Sequence, residues 1–181
     1  TNTNASGTTR TARSLRTPPR WARNLLVPAQ VVASPESGLH YRIERLLGEG
    51  GFGQVYLASR IDSSSVVPET VCIKISPRMD GWLREAYFGQ LLRSHPRAIG
   101  VFDTFPLMHR DGSVLYCLAI EYAVHGDLSA FLQRTARGWP EAAVRREIAG
   151  VLGVLDRLHR GQMLHRDLTP MNVFVCEGPS L

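Results

Sequence analysis

The chain is almost without lysine. Of its 21 basic residues only Lys74 is Lys, and all the others are Arg. Cysteine is scarce too: Cys72, Cys117 and Cys176 are the only three, and they lie far apart. An odd, scattered set excludes a disulfide framework and the paired spacing of a zinc site, and it implies a reducing compartment. Long apolar runs are also missing. The best candidate, Val114 to Val124, is interrupted by Glu121 and is too short to span a bilayer. The first residues are polar and Arg-bearing, with no apolar stretch of the kind a secretory signal needs. The expectation is a cytoplasmic location, with membrane attachment through other segments left open.

What is present is ordinary for a soluble globular protein: 181 residues, 44% apolar, net charge +5. That length suits one domain with a sizeable core, or two small lobes. Residues 1–38 carry Arg10, Arg13, Arg16, Arg20 and Arg23 among Thr, Ser, Asn and Pro. They read as a disordered tail, with order beginning near His40. No aromatic interleaving or amphipathic period accompanies these arginines, so a solvated linker is favoured over a segment binding nucleic acid or anionic membrane.

From there the pattern is regular. Tyr41, Ile43 and Leu47 alternate with Arg42 and Glu44 as a half-buried strand. Gly48-Glu49-Gly50-Gly51-Phe52-Gly53 follows, then Gln54 to Ala58 as a second strand. A dinucleotide-binding fold would place a helix after the glycines, so a hairpin is the better reading. Such glycines let the backbone lie close over a polyphosphate, although the spacing alone also fits a flexible turn. Val71 to Ile75 is a third strand, and period two puts Cys72 and Lys74 on one face. A strand Lys is usually a solvated charge. In a chain that otherwise uses Arg, a single Lys suggests a site needing a compact ammonium for phosphate and carboxylate together.

Gly81 to Leu92 has helical apolar spacing and carries Glu85, either a partner for Lys74 or a surface residue beside Arg84. Ile99 to Phe105 and Val114 to Ile120 read as two more strands. A linker with Gly126 then leads to a helix for which Asp127 is a natural N-cap. Pro140 to Gly161 bounds a longer helix whose stripe of Val144, Ile148, Val151, Leu152, Leu155 and Leu158 is expected to be core.

The helix delivers the chain to His165-Arg166-Asp167-Leu168-Thr169-Pro170-Met171-Asn172, followed by apolar Val173 to Val175 as a short strand. That spacing fits an Asp that orients an attacking hydroxyl and an Asn that holds a metal, both on one tight loop. A second His-Arg-Asp, at His109 to Asp111, is a decoy: Asp111-Gly112 is a turn signal, and the fifth residue after Asp111 is Tyr116 rather than Asn.

Taken in order, the Gly-rich hairpin, strand Lys, helix Glu, linker and loop resemble the protein kinase family, from about Tyr41 to Val175. The resemblance implies an α+β, two-lobe fold. Residues 39–121 would form an N-lobe of five antiparallel strands and one helix, and 122–181 a hinge and partial helical C-lobe. It implies ATP and Mg²⁺ as cofactors and a protein Ser or Thr hydroxyl as acceptor, Pro170 leaning toward that class. Gly48, Gly50 and Gly53 would cover the phosphates. Val55 and Cys72 would lie on the adenine, and Lys74 would reach the phosphates, paired with Glu85. Ile120 would line the back of the adenine pocket, and the backbone of Glu121 and Ala123 would bond its edge. Asp127 would take a ribose hydroxyl, and Phe174 would floor the ring. Asp167 would be the catalytic base and Asn172 the Mg²⁺ ligand. Arg166 would pair with a phosphorylated activation loop.

The chain also departs from the family pattern. The segment from Lys74 to Glu85 is short, which predicts a helix clipped at its start. Gly89 stands where the family has an apolar residue, which predicts weaker support for the helix. Thr169 stands where serine/threonine kinases carry Lys. No Asp-Phe-Gly triplet, the family's second metal-binding segment, occurs in these residues, so they are expected to be inactive alone. Two rivals follow. A pseudokinase, binding nucleotide or acting as a scaffold, is favoured by Thr169 and Gly89 and opposed by Lys74, Asp167 and Asn172. A small-molecule kinase of the aminoglycoside phosphotransferase type usually has Gly where this chain has Arg166.

Overall fold

A computed structural model describes residues 24–135 and 138–176. Its main body is one antiparallel sheet of six strands in the order β1-β2-β3-β4-β6-β5. The strands are β1 (Val31–Ala33), β2 (His40–Gly50), β3 (Gly53–Arg60), β4 (Thr70–Ser76), β5 (Val101–Met108) and β6 (Val114–Glu121). Helix α1 (Met79–Leu91) lies between β4 and β5, and α2 (Leu128–Arg134) and α3 (Glu141–Arg160) follow β6. A 3₁₀ turn over Pro170–Asn172 comes last.

Period two sorts the side chains as the sequence suggests. Tyr41, Ile43, Tyr56, Ala58, Val71, Ile73 and Ile75 are buried together on one face. Val55 and Lys74 are register partners and only half-buried. The sheet curls enough for β2 to meet β5, far from it in strand order. The Tyr41 and Phe105 rings stack at 5.9 Å, and the Tyr41 hydroxyl donates to Asp103 Oδ2 at 2.8 Å. Burial and that carboxylate together push the Tyr41 phenol well above its usual range.

Four expectations need correcting. The sheet has six strands rather than five, because β1 adds to the edge of β2. Order therefore starts before His40: among residues 24–38, Leu26 and Val32 are fully buried in the sheet's core. Two short apolar groups, Leu25 to Val27 and Val31 with Val32, were masked by the polar composition around them. The expectation of disorder over residues 1–23 lies outside the described residues. In β2, register shifts at Ile43/Arg45 and Leu46/Gly48 break the alternation, so Leu46 packs on the core and Leu47 is exposed. Finally, the α3 stripe is not a closed core. Leu158 is buried, but Val144, Ile148 and Leu152 are exposed. An amphipathic face is covered only where another layer meets it, and among the described residues of α3 only Ala143 and Leu158 are buried.

Candidate active site

The Gly-rich hairpin joins β2 to β3, with Gly50 facing Gly53 in register. Its glycines are not equivalent. Gly53 has φ +131°, and a Cβ there would stand 2.0 Å from the Ile75 carbonyl oxygen, so the fold itself demands glycine. At Gly48 and Gly50 a Cβ would meet nothing within 4 Å among the described residues. Protein packing therefore does not require glycine there, whereas close backbone approach by a ligand would. Phe52 is exposed at the tip of the turn.

Beneath that turn, Lys74 Nζ is held by both Glu85 carboxylate oxygens, at 2.7 and 2.6 Å. Its ammonium lies 6.0 Å from the Phe52 ring centroid. Partial exposure (24% for Lys74, 38% for Glu85) limits the pair's stabilisation to about 1 kcal/mol or less. Its value lies in placing the ammonium. The two residues share a small cavity of about 80 Å³ with Phe52, Trp82, Arg84 and Tyr116.

Three contacts hold α1 where Glu85 can do this, although no α1 side chain is fully buried. Trp82 Nε1 donates to the Cys117 carbonyl at 2.9 Å and its ring packs on Tyr116. The Lys74–Glu85 pair is the second. The third is at Gly89, where a Cβ would fall 2.3 Å from Val101 Cγ2. Gly89 thus does more than omit an apolar residue. It lets the Val101 side chain of β5 abut the helix backbone, which sequence reasoning missed because the partner is distant in the chain.

Cys72 is buried and pairs in register with Ile120. Burial pushes its thiol up to about 11, and that of Cys117 to about 12. At pH 8 the thiolate fraction of Cys72 then falls to about a thousandth. Alkylation at pH 8, followed by mass spectrometry, is expected to run on the order of a hundredfold slower at Cys72, and on the order of a thousandfold slower at Cys117, than in denaturant. Comparable rates would contradict the burial.

At the linker, the Glu121 N–H donates to the Gly100 carbonyl at 2.8 Å, and its side chain accepts from the Gly100 N–H at 3.0 Å. The Glu121 N–H is therefore not available to a ligand. The Ala123 carbonyl accepts from the Gly126 N–H at 2.9 Å in a turn where Gly126 has φ +74°, and no hydrogen bond among the described residues engages the Ala123 N–H. Asp127 is the N-cap of α2, accepting from the Ala130 N–H at 2.9 Å. It also bridges to Phe174, which is half exposed, and the expected strand at Val173 to Val175 is reduced to that single bridge with flanking backbone bonds.

The loop after α3 brings its two key residues together. Asn172 Nδ2 donates to the Asp167 carbonyl at 2.8 Å and to Asp167 Oδ2 at 2.9 Å. Arg166, between His165 and Asp167, has φ +64°. A non-glycine residue in that region costs roughly 1–2 kcal/mol and turns the chain so that Asp167 faces Asn172. Thr169 precedes the 3₁₀ turn, extended and without a side-chain cap bond. Among the described residues no hydrogen bond or ion pair joins this loop to the Lys74–Glu85 pair, so the structure forms two separate clusters. The decoy Asp111 is spent on a turn, accepting from the Ser113 hydroxyl and N–H, bonds that hold its carboxyl well below the usual range.

Both clusters lie within the stretch, residues 41–180, that matches the sequence model of the protein kinase domain. The chain belongs to the protein kinase family. It is 28% identical over 153 residues to serine/threonine-protein kinase SBK2 of Rattus norvegicus, covering 84% of this chain and 41% of that protein. With serine/threonine-protein kinase pkn3 of Myxococcus xanthus it shares 34% over 141 residues, 75% of this chain and 24% of the relative. Calcium-dependent protein kinase 4 of Arabidopsis thaliana is 28% identical over 168 residues, 90% of this chain and 31% of the relative. The chain thus spans less than half the length of these curated relatives. The kinase fold implied by the motifs is the one observed, with the added strand β1.

Proposed function

We propose that this kinase domain binds ATP with Mg²⁺ and directs phosphate transfer to a protein Ser or Thr hydroxyl. The observation that carries the reading is the bidentate hold of Glu85 on Lys74 directly beneath the Gly-rich turn. An ammonium fixed in that way needs little reorganisation to meet a phosphate. Open space above Gly48 and Gly50 fits a polyphosphate lying against the backbone. The Ala123 N–H would bond the adenine edge, with Val55, Cys72 and Ile120 around the ring and Phe174 beneath it. Asp127 Oδ1 is engaged in capping α2, so a ribose hydroxyl would fall to its other oxygen.

Each residue of the catalytic loop has a definite task. The Asn172 amide nitrogen steadies Asp167, which leaves the amide oxygen to take a cation. Asp167 keeps one carboxylate oxygen to accept the proton of the acceptor hydroxyl. When bound, Mg²⁺ would neutralise charge on the phosphates. Asn172 would be one of that ion's few protein ligands, the family's second being the Asp of an Asp-Phe-Gly segment that residues 1–181 do not contain. Arg166 would pair with a phosphorylated segment. An Ser/Thr acceptor fits Pro170, and SBK2 and pkn3 are named as serine/threonine kinases.

Lys74→Met is expected to weaken binding of a fluorescent ATP analogue roughly tenfold, the loss of one hydrogen bond to a charged group. Equal affinity in both proteins would remove Lys74 from the phosphate site.

A further inference from the structure

The residues that precede the kinase-matched stretch reach the Gly-rich hairpin. The family match begins at residue 41. Before it, residues 24–33 run along the sheet as a strap. The strap is fixed at one end by β1, with Val31, Val32 and Ala33 facing Arg42, Tyr41 and His40. Ala29 donates to the Ile43 carbonyl and Ile43 to the Gln30 carbonyl, both at 2.8 Å. At the other end Leu26 is wholly buried in the core.

That buried end meets the root of the hairpin. Gln54 follows Gly53 directly, and its side chain is fully buried. Its Oε1 accepts from the Leu25 N–H at 2.8 Å and from the Tyr56 hydroxyl at 2.5 Å. The Tyr56 hydroxyl in turn accepts from the Leu26 N–H at 3.1 Å. On its far side, Gln54 Nε2 reaches Glu49 Oε2 at 3.5 Å, and Glu49 is the register partner of Gln54 within the glycine run. A continuous line of contacts therefore runs from the strap backbone through one buried amide to the loop between Gly48 and Gly50. A buried amide orients strongly toward its partners, because leaving it unsatisfied is costly.

We propose that Leu25 and Leu26, acting through Gln54 and Tyr56, hold the Gly-rich hairpin in its pose and so set the affinity for the nucleotide phosphates. They are positioning residues, acting at one remove from the ligand. The inference rests on the reading of the hairpin as a phosphate cover. It predicts a selective effect. Loosening the strap at its Leu25–Leu26 end, and not at its β1 end, weakens ligands that carry phosphates and spares adenosine, which the hairpin glycines do not hold.

The test uses the whole chain in three variants. Tyr56→Phe deletes the hydroxyl between Leu26 and Gln54 and keeps the ring. Leu26→Ala removes the plug. Val32→Ala removes a side chain from the same core, away from Gln54, and is the control for plain destabilisation. A fluorescent ATP analogue is titrated, adenosine is measured by competition, and amide hydrogen exchange is followed over residues 48–53. Tyr56→Phe and Leu26→Ala should lower ATP affinity about 3–10-fold, the range for one or two hydrogen bonds, leave adenosine unchanged and speed exchange in the hairpin. Val32→Ala should lower the melting temperature without changing the ratio of the two affinities. An unchanged ratio in Tyr56→Phe, or an equal change in Val32→Ala, overturns the proposal. If the unmodified chain binds adenosine but shows no gain from the phosphates, the phosphate reading of the hairpin fails separately. Exchange then decides the strap alone: faster exchange in Tyr56→Phe supports it and unchanged exchange refutes it. Should Leu26→Ala not fold, Tyr56→Phe carries the test.

Discussion

Asp167→Asn is expected to reduce phosphate transfer about a thousandfold, the middle of the range for removing a general base. The amide keeps the shape of the carboxylate and can still meet Asn172, but it cannot accept the hydroxyl proton. Asp167 is exposed, so folding should change by no more than about 0.5 kcal/mol. The measurement is radiolabelled transfer from ATP to a generic basic protein. It is made on a chain extended beyond residue 181 to include the family's Asp-Phe-Gly segment, which residues 1–181 do not contain. Residues 1–181 alone should transfer nothing, because Asn172 is then the single metal-binding position of the two. Transfer by the short chain would refute that argument. A folded, extended chain that binds ATP yet transfers nothing would instead favour the pseudokinase.

The second large effect separates two glycines of one loop. Gly53→Ala should destabilise the fold by about 3 kcal/mol, since the new methyl meets the Ile75 carbonyl and the backbone sits in a region that side chains avoid. Gly48→Ala should change stability by less than about 1 kcal/mol, because nothing among the described residues opposes the methyl. Its effect should appear in ATP affinity, weakened roughly tenfold, or about 1.4 kcal/mol. Chemical denaturation and nucleotide titration on the two variants read both. A Gly48→Ala protein that binds ATP as tightly as the parent would show that the open space above the loop is not a phosphate site.

Much of the site was legible because its signals are local. Cys72 and Lys74 share a face by strand period alone, and Asp167 and Asn172 meet because a five-residue separation closes one tight turn. Glu85 was harder, since Glu carries no motif of its own. What singles it out is the kinase resemblance, in which a helix Glu pairs with the strand Lys. The strap was missed for the opposite reason. Its apolar residues are few and set among Pro, Ser and Asn, so averaging over residues 1–38 erased them. The α3 stripe was over-read, because periodicity reports that a helix has an apolar face and says nothing about what covers it.

By itself, then, the sequence determined the kinase family, the order of the elements, and the side chains that can perform the chemistry. Those properties depend on spacing within a strand, a turn or a loop. Tertiary structure alone decided how the elements bear on one another. It placed Val101 against the Gly89 backbone, distinguished the glycine required by the fold at Gly53 from the glycines at Gly48 and Gly50, and ran the strap to Gln54. Each of these depends on a contact between residues at least a dozen positions apart, or on the space left between them, and local periodicity carries no record of either.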